Sequence, residues 1–415
     1  MEGIFVNGPI NAARLEGTVY GTKKVLYIFM DFHMNVMHQS QCDNIDSIDL
    51  NKYILKELKE SDKNKTYDLF LEISGTTASQ NLTQSFRGRY IDEVMRFFSI
   101  ESNIESTQRA LKNVRYHFID IRDFLKSNIN DIFYNLTNTI KTCVCNEHMT
   151  RSDYDFIMSS LHNLDGALHM TYDILFTSNE TNSRMKPSKV DNSKKRNVGR
   201  SKIDILTNEP KKNYSIVQKF LNKIRSKYEH KDIPQKLDEL FEKIRSYFVE
   251  IFDSEEKIMQ LMKQAEITLS KNPIELNKVT TGHTEMYIYG KDLSRIIDFM
   301  SKLNILVYEM EMMTVHVYAL IVDLFFLRRF LDKDYVQNGI VYAGIAHSMS
   351  YIYMLIKYYD FKITNVSYLK EGETIESATK KIKDQTVSNP NIDELFYPPS
   401  LYQCSNLSDF PKNFN

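Results

Sequence analysis

Two histidines and four acidic residues stand just past apolar runs of strand length. The run "VLYIFMDFH" (Val25–His33) ends in Asp31 and His33, and "YDLFLE" (Tyr67–Glu72) ends in Glu72. "VRYHFIDIRD" (Val114–Asp123) presents Asp120, Arg122 and Asp123, and "GIVYAGIAH" (Gly339–His347) presents Gly344 and His347. In open parallel sheets ligands bind beyond the carboxyl ends of the strands, so these residues are expected to converge there. Two imidazoles with several carboxylates are ordinary ligands for a divalent transition metal such as Mn, Co or Zn. A water on such an ion becomes a nucleophile near neutral pH, with a spare carboxylate as its base.

Blander readings stand beside these. Asp31 and Asp123 are equally read as helix N-caps, and either histidine taken singly as a satisfied core or surface residue. Glu72 is harder to dismiss, because a carboxylate at a buried strand end needs a partner, Arg122 or a metal. "IDIRD" also reads as an internal Asp–Arg pair locking two loops. Gly344 fits a sharp turn or a close approach to the backbone. "CVCNEH", with Cys143, Cys145 and His148, is half of a zinc site without its second half. His38 and Cys42 are within reach of the edge site from the first loop, though an incidental surface loop is the simpler reading. His162 and His169 face solvent or a helical core. No G-x-S-x-G elbow and no G-x-x-x-x-G-K-[ST] loop occurs, which argues against a common serine hydrolase and a P-loop NTPase.

The elements that must position these groups follow from periodicity. "IDLNKYILKELKES" spaces Leu50, Ile54 and Leu58 four apart, and "RYIDEVMRFFSI" repeats the pattern with Ile91, Val94, Met95 and Phe98. Strands alternating with such helices predict βαβ units. Residues 1–125 and 335–387 are expected to form the two halves of an α/β domain, with a parallel-rich sheet assembled from N-terminal and C-terminal segments. Residues 126–334 carry helical spacing throughout and are expected as a large all-helical insertion. It is interrupted by a lysine- and arginine-rich loop over 178–213 that has too few apolar residues to order itself. Residues 388–415, with Pro390, Pro398, Pro399 and Pro411, are expected as an extended tail.

With 53 Lys+Arg against 54 Asp+Glu the chain has no global field for nucleic acid or anionic lipid; only the basic segment 186–212 offers a local one. "NILVYEMEMMTVHVYALIVDLFFLRRF" is interrupted by Glu309, Glu311, His316 and Asp323, so a buried helix is expected and no membrane span. Cys42, Cys143, Cys145 and Cys404 are too scattered for a disulfide framework, and a reducing compartment is the simpler expectation.

The order "DFH", "FLE", "RYHFIDIRD", "YAGIAH" resembles the Tiki/TraB superfamily with its ChaN-like and erythromycin-esterase-like relatives, which carry two G-x-x-H motifs and a Glu on the second strand. It is closer still to uncharacterised proteins of large DNA viruses of eukaryotes. Gly344 and His347 match the second motif; His33 matches the first, with Met30 in place of its glycine; Glu72 fills the acidic position. The resemblance covers residues 19–124 and 339–369. It implies a metal-dependent hydrolase, acting on peptide bonds, with His33, His347 and Glu72 as ligands, Asp31 as fourth ligand or base, and Arg122 stabilising negative charge. The superfamily also includes haem binders and members without activity. The alternative is therefore a catalytically inactive structural or interaction protein in a virus particle or the host cytoplasm, with other virion proteins as partners.

Overall fold

The computed structural model describes residues 3–33, 42–73, 89–105, 108–122, 129–146, 149–177, 208–271, 293–384, 392–400 and 402–415. The chain divides into two compact units. One comprises residues 1–122, 228–241 and 319–415, the other 123–227 and 242–318. Every described strand lies in the first unit, and the described elements of the second are helices.

The sheet of the first unit contains β2 (Asn11–Val19), β3 (Thr22–Asp31), β5 (Tyr67–Leu71), β6 (Val114–Phe118), β7 (Asn338–Gly344) and β8 (Lys362–Val366), in the order β6-β5-β7-β3-β2-β8. The four strands β6, β5, β7 and β3 run parallel, so their carboxyl ends share one edge. β2 is antiparallel to both its neighbours. The sheet is thus mixed, and the antiparallel arm replaces what the sequence leaves unassigned before Val19. β2 and β3 form a hairpin whose two turn residues, Tyr20 and Gly21, have φ of 49° and 80°. Positive φ at both central residues matches strand twist, which is why a glycine stands there.

Both faces of the sheet are covered, which explains the nearly unbroken apolar runs. On β3, Val25, Tyr27 and Phe29 point into a core shared with α1 (Leu50–Glu60) and α2 (Tyr90–Asn103). The helix residues picked out by four-residue spacing, Leu50, Ile54, Leu58, Ile91, Val94, Met95 and Phe98, are all buried in it. The opposite face packs on the end of the long helix Leu293–Asp332 and on the helix Ile345–Tyr359: the Phe70 ring meets Phe326 at 4.9 Å, and Phe326 meets Tyr351 at 4.1 Å. Leu293–Asp332 is long and apolar enough to cross a bilayer by length and composition, but 61% of its apolar window is buried inside the protein.

A smaller sheet has the order β4-β1-β9, from β4 (Ile48–Asp49), β1 (Phe5–Asn7) and β9 (Cys404–Asn406). The C-terminal residues are therefore more than a strap. They supply β9, and they drive Phe410 and Phe414 into the core beside Tyr27. Cys42 and Cys404 are joined in a disulfide across 362 residues of sequence, against the expectation of thiols.

The second unit contains α3 (Ile129–Asn146), α4 (Arg151–Phe176) and α5 (Asn208–Ser226). Beyond the short helix α6 (Ile233–Lys236) of the first unit, α7 (Asp238–Lys271) belongs to the second from Glu242 onward, and α8 (Leu293–Asp332) belongs to it as far as Tyr318. Thr150 caps α4 in a reciprocal box with Asp153. Leu161, Leu164, Leu168, Phe248, Ile251 and Val307 are among the side chains that fill this unit's core.

Candidate metal centre at the sheet edge

Each parallel strand delivers at least one group to the common edge. β5 ends at Leu71, and the next residue is Glu72, whose side chain is 2% exposed. β6 is followed by Asp120 and Arg122; β7 ends at Gly344 and runs straight into α9 (Ile345–Tyr359), whose first turn carries His347. β3 ends at Asp31, and His33 lies two residues on. His33 itself takes the left-handed conformation, φ 60°, while Met30 stays in the strand with its side chain buried. The left-handed conformation, for which a glycine is usual, is thus taken by the histidine itself. Its bend is held by the Asp31 Oδ2, which accepts from the His33 backbone N–H at 2.6 Å.

The two imidazoles flank Glu72. His347 Nε2 lies 3.4 Å from Glu72 Oε1, and His33 Nε2 lies 3.8 Å from Oε2. Each ring is anchored through its other nitrogen: His33 Nδ1 to Asp31 Oδ2 at 2.6 Å, and His347 Nδ1 to Asp323 Oδ1 at 2.6 Å. A carboxylate behind Nδ1 fixes the tautomer that leaves Nε2 facing forward, the arrangement found behind metal-ligating histidines. Glu72 also accepts from Arg122 at 2.7 Å through Oε1 and from the Gly344 backbone N–H at 2.7 Å through Oε2. That N–H begins α9, so a helix N-terminus supports the carboxylate. Arg122 in turn forks onto Asp120.

Gly344 has no room for a side chain. A Cβ there would come within 2.8 Å of His33 Nε2 and 3.5 Å of Glu72 Oε2, so what approaches this backbone closely is the first histidine.

Four carboxylates, Asp31, Glu72, Asp120 and Asp323, meet one guanidinium and two imidazoles. Burial opposes charge on His33, but its hydrogen bond to Asp31 and the nearby Glu72 carboxylate outweigh it and raise its pKa to about 9. Burial likewise opposes charge on His347, and Asp323 with Glu72 raises it to about 10. Glu72 is pushed up by its burial yet held well below the usual carboxylate range by His347, His33 and Arg122. The site demands positive charge, and it can be met by imidazolium protons or by a cation. Of the two imidazoles, His33 is the more open: its side chain is 37% exposed, against 7% for His347.

The structure brings together His33, Glu72, Arg122, Asp120, Gly344 and His347. Asp31 is there too, with both oxygens already engaged: Oδ2 by His33, Oδ1 by the Tyr342 hydroxyl at 2.5 Å and Gln403 Nε2 at 3.3 Å. Asp123, His38, His148 and the basic residues 186–207 lie outside the described residues. Cys42 is consumed by its disulfide; Cys143 is buried and Cys145 exposed on α3. Asp323 was missed by sequence reasoning, as were Tyr342 and Gln403. The signal for Asp323 was present, since a carboxylate in the apolar stretch "ALIVDLFFL" needs a partner if that stretch is buried.

Comparison with known proteins agrees with a viral kinship. The chain is 31% identical to the Uncharacterized protein R706 of Acanthamoeba polyphaga mimivirus over 426 residues, covering 99% of this chain and 96% of that protein. It is 31% identical to the Uncharacterized protein R161 and 30% identical to the Uncharacterized protein R160 of the same virus, each over 441 residues. These alignments cover 99% of this chain, with 98% of R161 and 97% of R160. No solved structure matches it. Residues 4–415 match one family along nearly the whole length, so both the sheet edge and the helical unit fall within it: the chain belongs to the Family of unknown function (DUF5847).

Proposed function

We propose that this chain is a metal-dependent hydrolase-like protein of the Tiki/TraB type, a peptidase in substrate class, built on a sheet edge that the second, helical unit interrupts in sequence as an insertion. The observation that carries this reading is the pair of imidazole Nε2 atoms flanking buried Glu72, each ring anchored by a carboxylate at Nδ1. By donor type, two imidazoles and a carboxylate suit a divalent ion such as Mn, Co or Zn, with His33, His347 and Glu72 drawing together as its ligands. When bound, the ion supplies a water acidic enough to act as nucleophile near neutral pH. Asp31 and Asp323 hold the rings in register. Arg122 places a permanent positive charge beside Glu72, where it would balance negative charge developing on a substrate carbonyl. The open flank at His33 is the way in for a peptide.

One observation favours a second reading, an inactive scaffold of a virus particle. Both Glu72 oxygens already accept from protein donors, Arg122 and the Gly344 N–H. Metal content separates the two. Purified wild-type protein should carry a stoichiometric divalent ion, measured by mass spectrometry of the elements, that is lost in His33→Ala and His347→Ala; peptide cleavage should fall with it. A wild-type protein that takes up no metal at this site, and whose His347→Ala variant is as stable as the parent, sinks the hydrolase reading.

A further inference from the structure

A second group of ligands lies in the helical unit, outside the sheet edge. Asp165 and His169 are four residues apart on α4, so both side chains stand on one face of that helix. Glu255 approaches from α7. One ligand atom from each of the three falls within 4.8 Å of the others. His169 Nδ1 is 2.5 Å from Asp165 Oδ1, and its ring lies on Phe252 with centroids 4.1 Å apart and planes 30° from parallel. Phe252 is one helical turn before Glu255, so α7 supplies both the platform for the imidazole and the third oxygen. That platform is itself fixed, since Phe252 packs on Tyr172 at 5.8 Å and on Phe248 at 5.8 Å.

We propose that Asp165, His169 and Glu255 form a divalent transition-metal site that staples α4 to α7. Two carboxylates brought this close repel each other unless a proton or a cation stands between them, and a divalent ion on the imidazole nitrogen side answers both at once. One nitrogen and two oxygens suit a borderline ion such as Zn, Mn or Co, with remaining positions left to water. The side chains of His169 and Asp165 are 53% and 41% exposed, so an ion enters directly from solvent and exchanges. The bond would cross between two helices far apart in sequence, and so add to the stability of the unit rather than to chemistry. The sheet-edge residues take no part in this site.

The test is a zinc and cobalt titration of full-length, chelator-treated protein, followed by calorimetry and by cobalt absorbance. The expected result is one equivalent fewer in His169→Ala and in Glu255→Gln than in wild type, whatever the sheet-edge site binds. At an ion concentration 100-fold above the dissociation constant, wild type should gain about 100-fold in the folding equilibrium of this unit over either variant. An unchanged stoichiometry in both variants overturns the proposal, and leaves an exposed Asp–His ion pair beside a glutamate. Loss in His169→Ala with full retention in Glu255→Gln overturns it equally, because the staple needs the α7 ligand.

Discussion

Replacing Arg122 by methionine would leave the Glu72 carboxylate buried with imidazoles as its remaining ionic partners, while Asp120 would lose its fork. Removing one partner from a buried pair costs about 3–5 kcal/mol, so Arg122→Met should shift the urea midpoint markedly, whereas the same change at exposed Lys52 should leave it within error. The pH profile of metal-free protein follows from the histidines. Their folded pKa values, about 9 for His33 and about 10 for His347, lie above the ordinary 6.5. Their contribution to stability is therefore complete below 6.5 and is lost as pH rises through 9 to 10. Glu72 works in the opposite sense: its pKa is lowered, so its contribution is present above 4.5 and disappears as pH falls below that value. Thermal melts should decline on the alkaline side, and the decline should flatten in His347→Gln. Asp323→Asn tests the ring anchor: if His347 is a ligand, metal affinity should drop about 10- to 100-fold with little change in fold, measured by competition with a chelating dye. His33, Glu72, Arg122 and His347 were legible because each follows an apolar run directly. Asp323 was legible only as a carboxylate in need of a partner; that the partner is His347 was not, because helical spacing does not say what lies opposite.

Among the elements, α1 and α2 were legible from four-residue spacing alone, since their buried faces are narrow and regular. β2 was not. "NAARLEGTV" alternates poorly and carries Arg14 and Glu16, yet both find partners: Arg14 donates to the Tyr27 hydroxyl at 2.9 Å and to Thr364 Oγ1 at 2.7 Å, and Glu16 pairs with it. What marked the strand was the two-residue Tyr20–Gly21 turn, a signal weaker than an Asn-Gly would have been. Gly21 offers a clean backbone test. A Cβ there meets nothing within 4 Å, so Gly21→Ala is penalised only by its φ of 80° and should cost about 1 kcal/mol in denaturant unfolding. Gly344→Ala differs, because the added carbon strikes His33 Nε2. It should perturb the His33 ring resonances by NMR while the sheet stays intact.

For the molecule as a whole, composition and periodicity disclosed a mixture of strands and helices, but not which distant segments pair. The disulfide between Cys42 and Cys404 illustrates why: its two halves are 362 residues apart and nothing local announces them. Closing so long a loop restricts the unfolded chain by about 6 kcal/mol in the chain-entropy account. Cys404→Ser should accordingly lower the melting temperature of the sheet unit, and thiol titration of denatured, unreduced wild type should count two sulfhydryls out of four. The position of β7 has a consequence for biosynthesis. Until β7 is made, a nascent polypeptide has partners only for β2 with β3 and for β5 with β6, two separate ribbons each too small to persist alone. The piece that bridges them, residues 338–344, is translated some 270 residues after β5, so two bare strand edges must wait for it. A gene shortened to codon 337 should therefore yield aggregates, and the full-length product should depend on chaperones that shield those edges during synthesis.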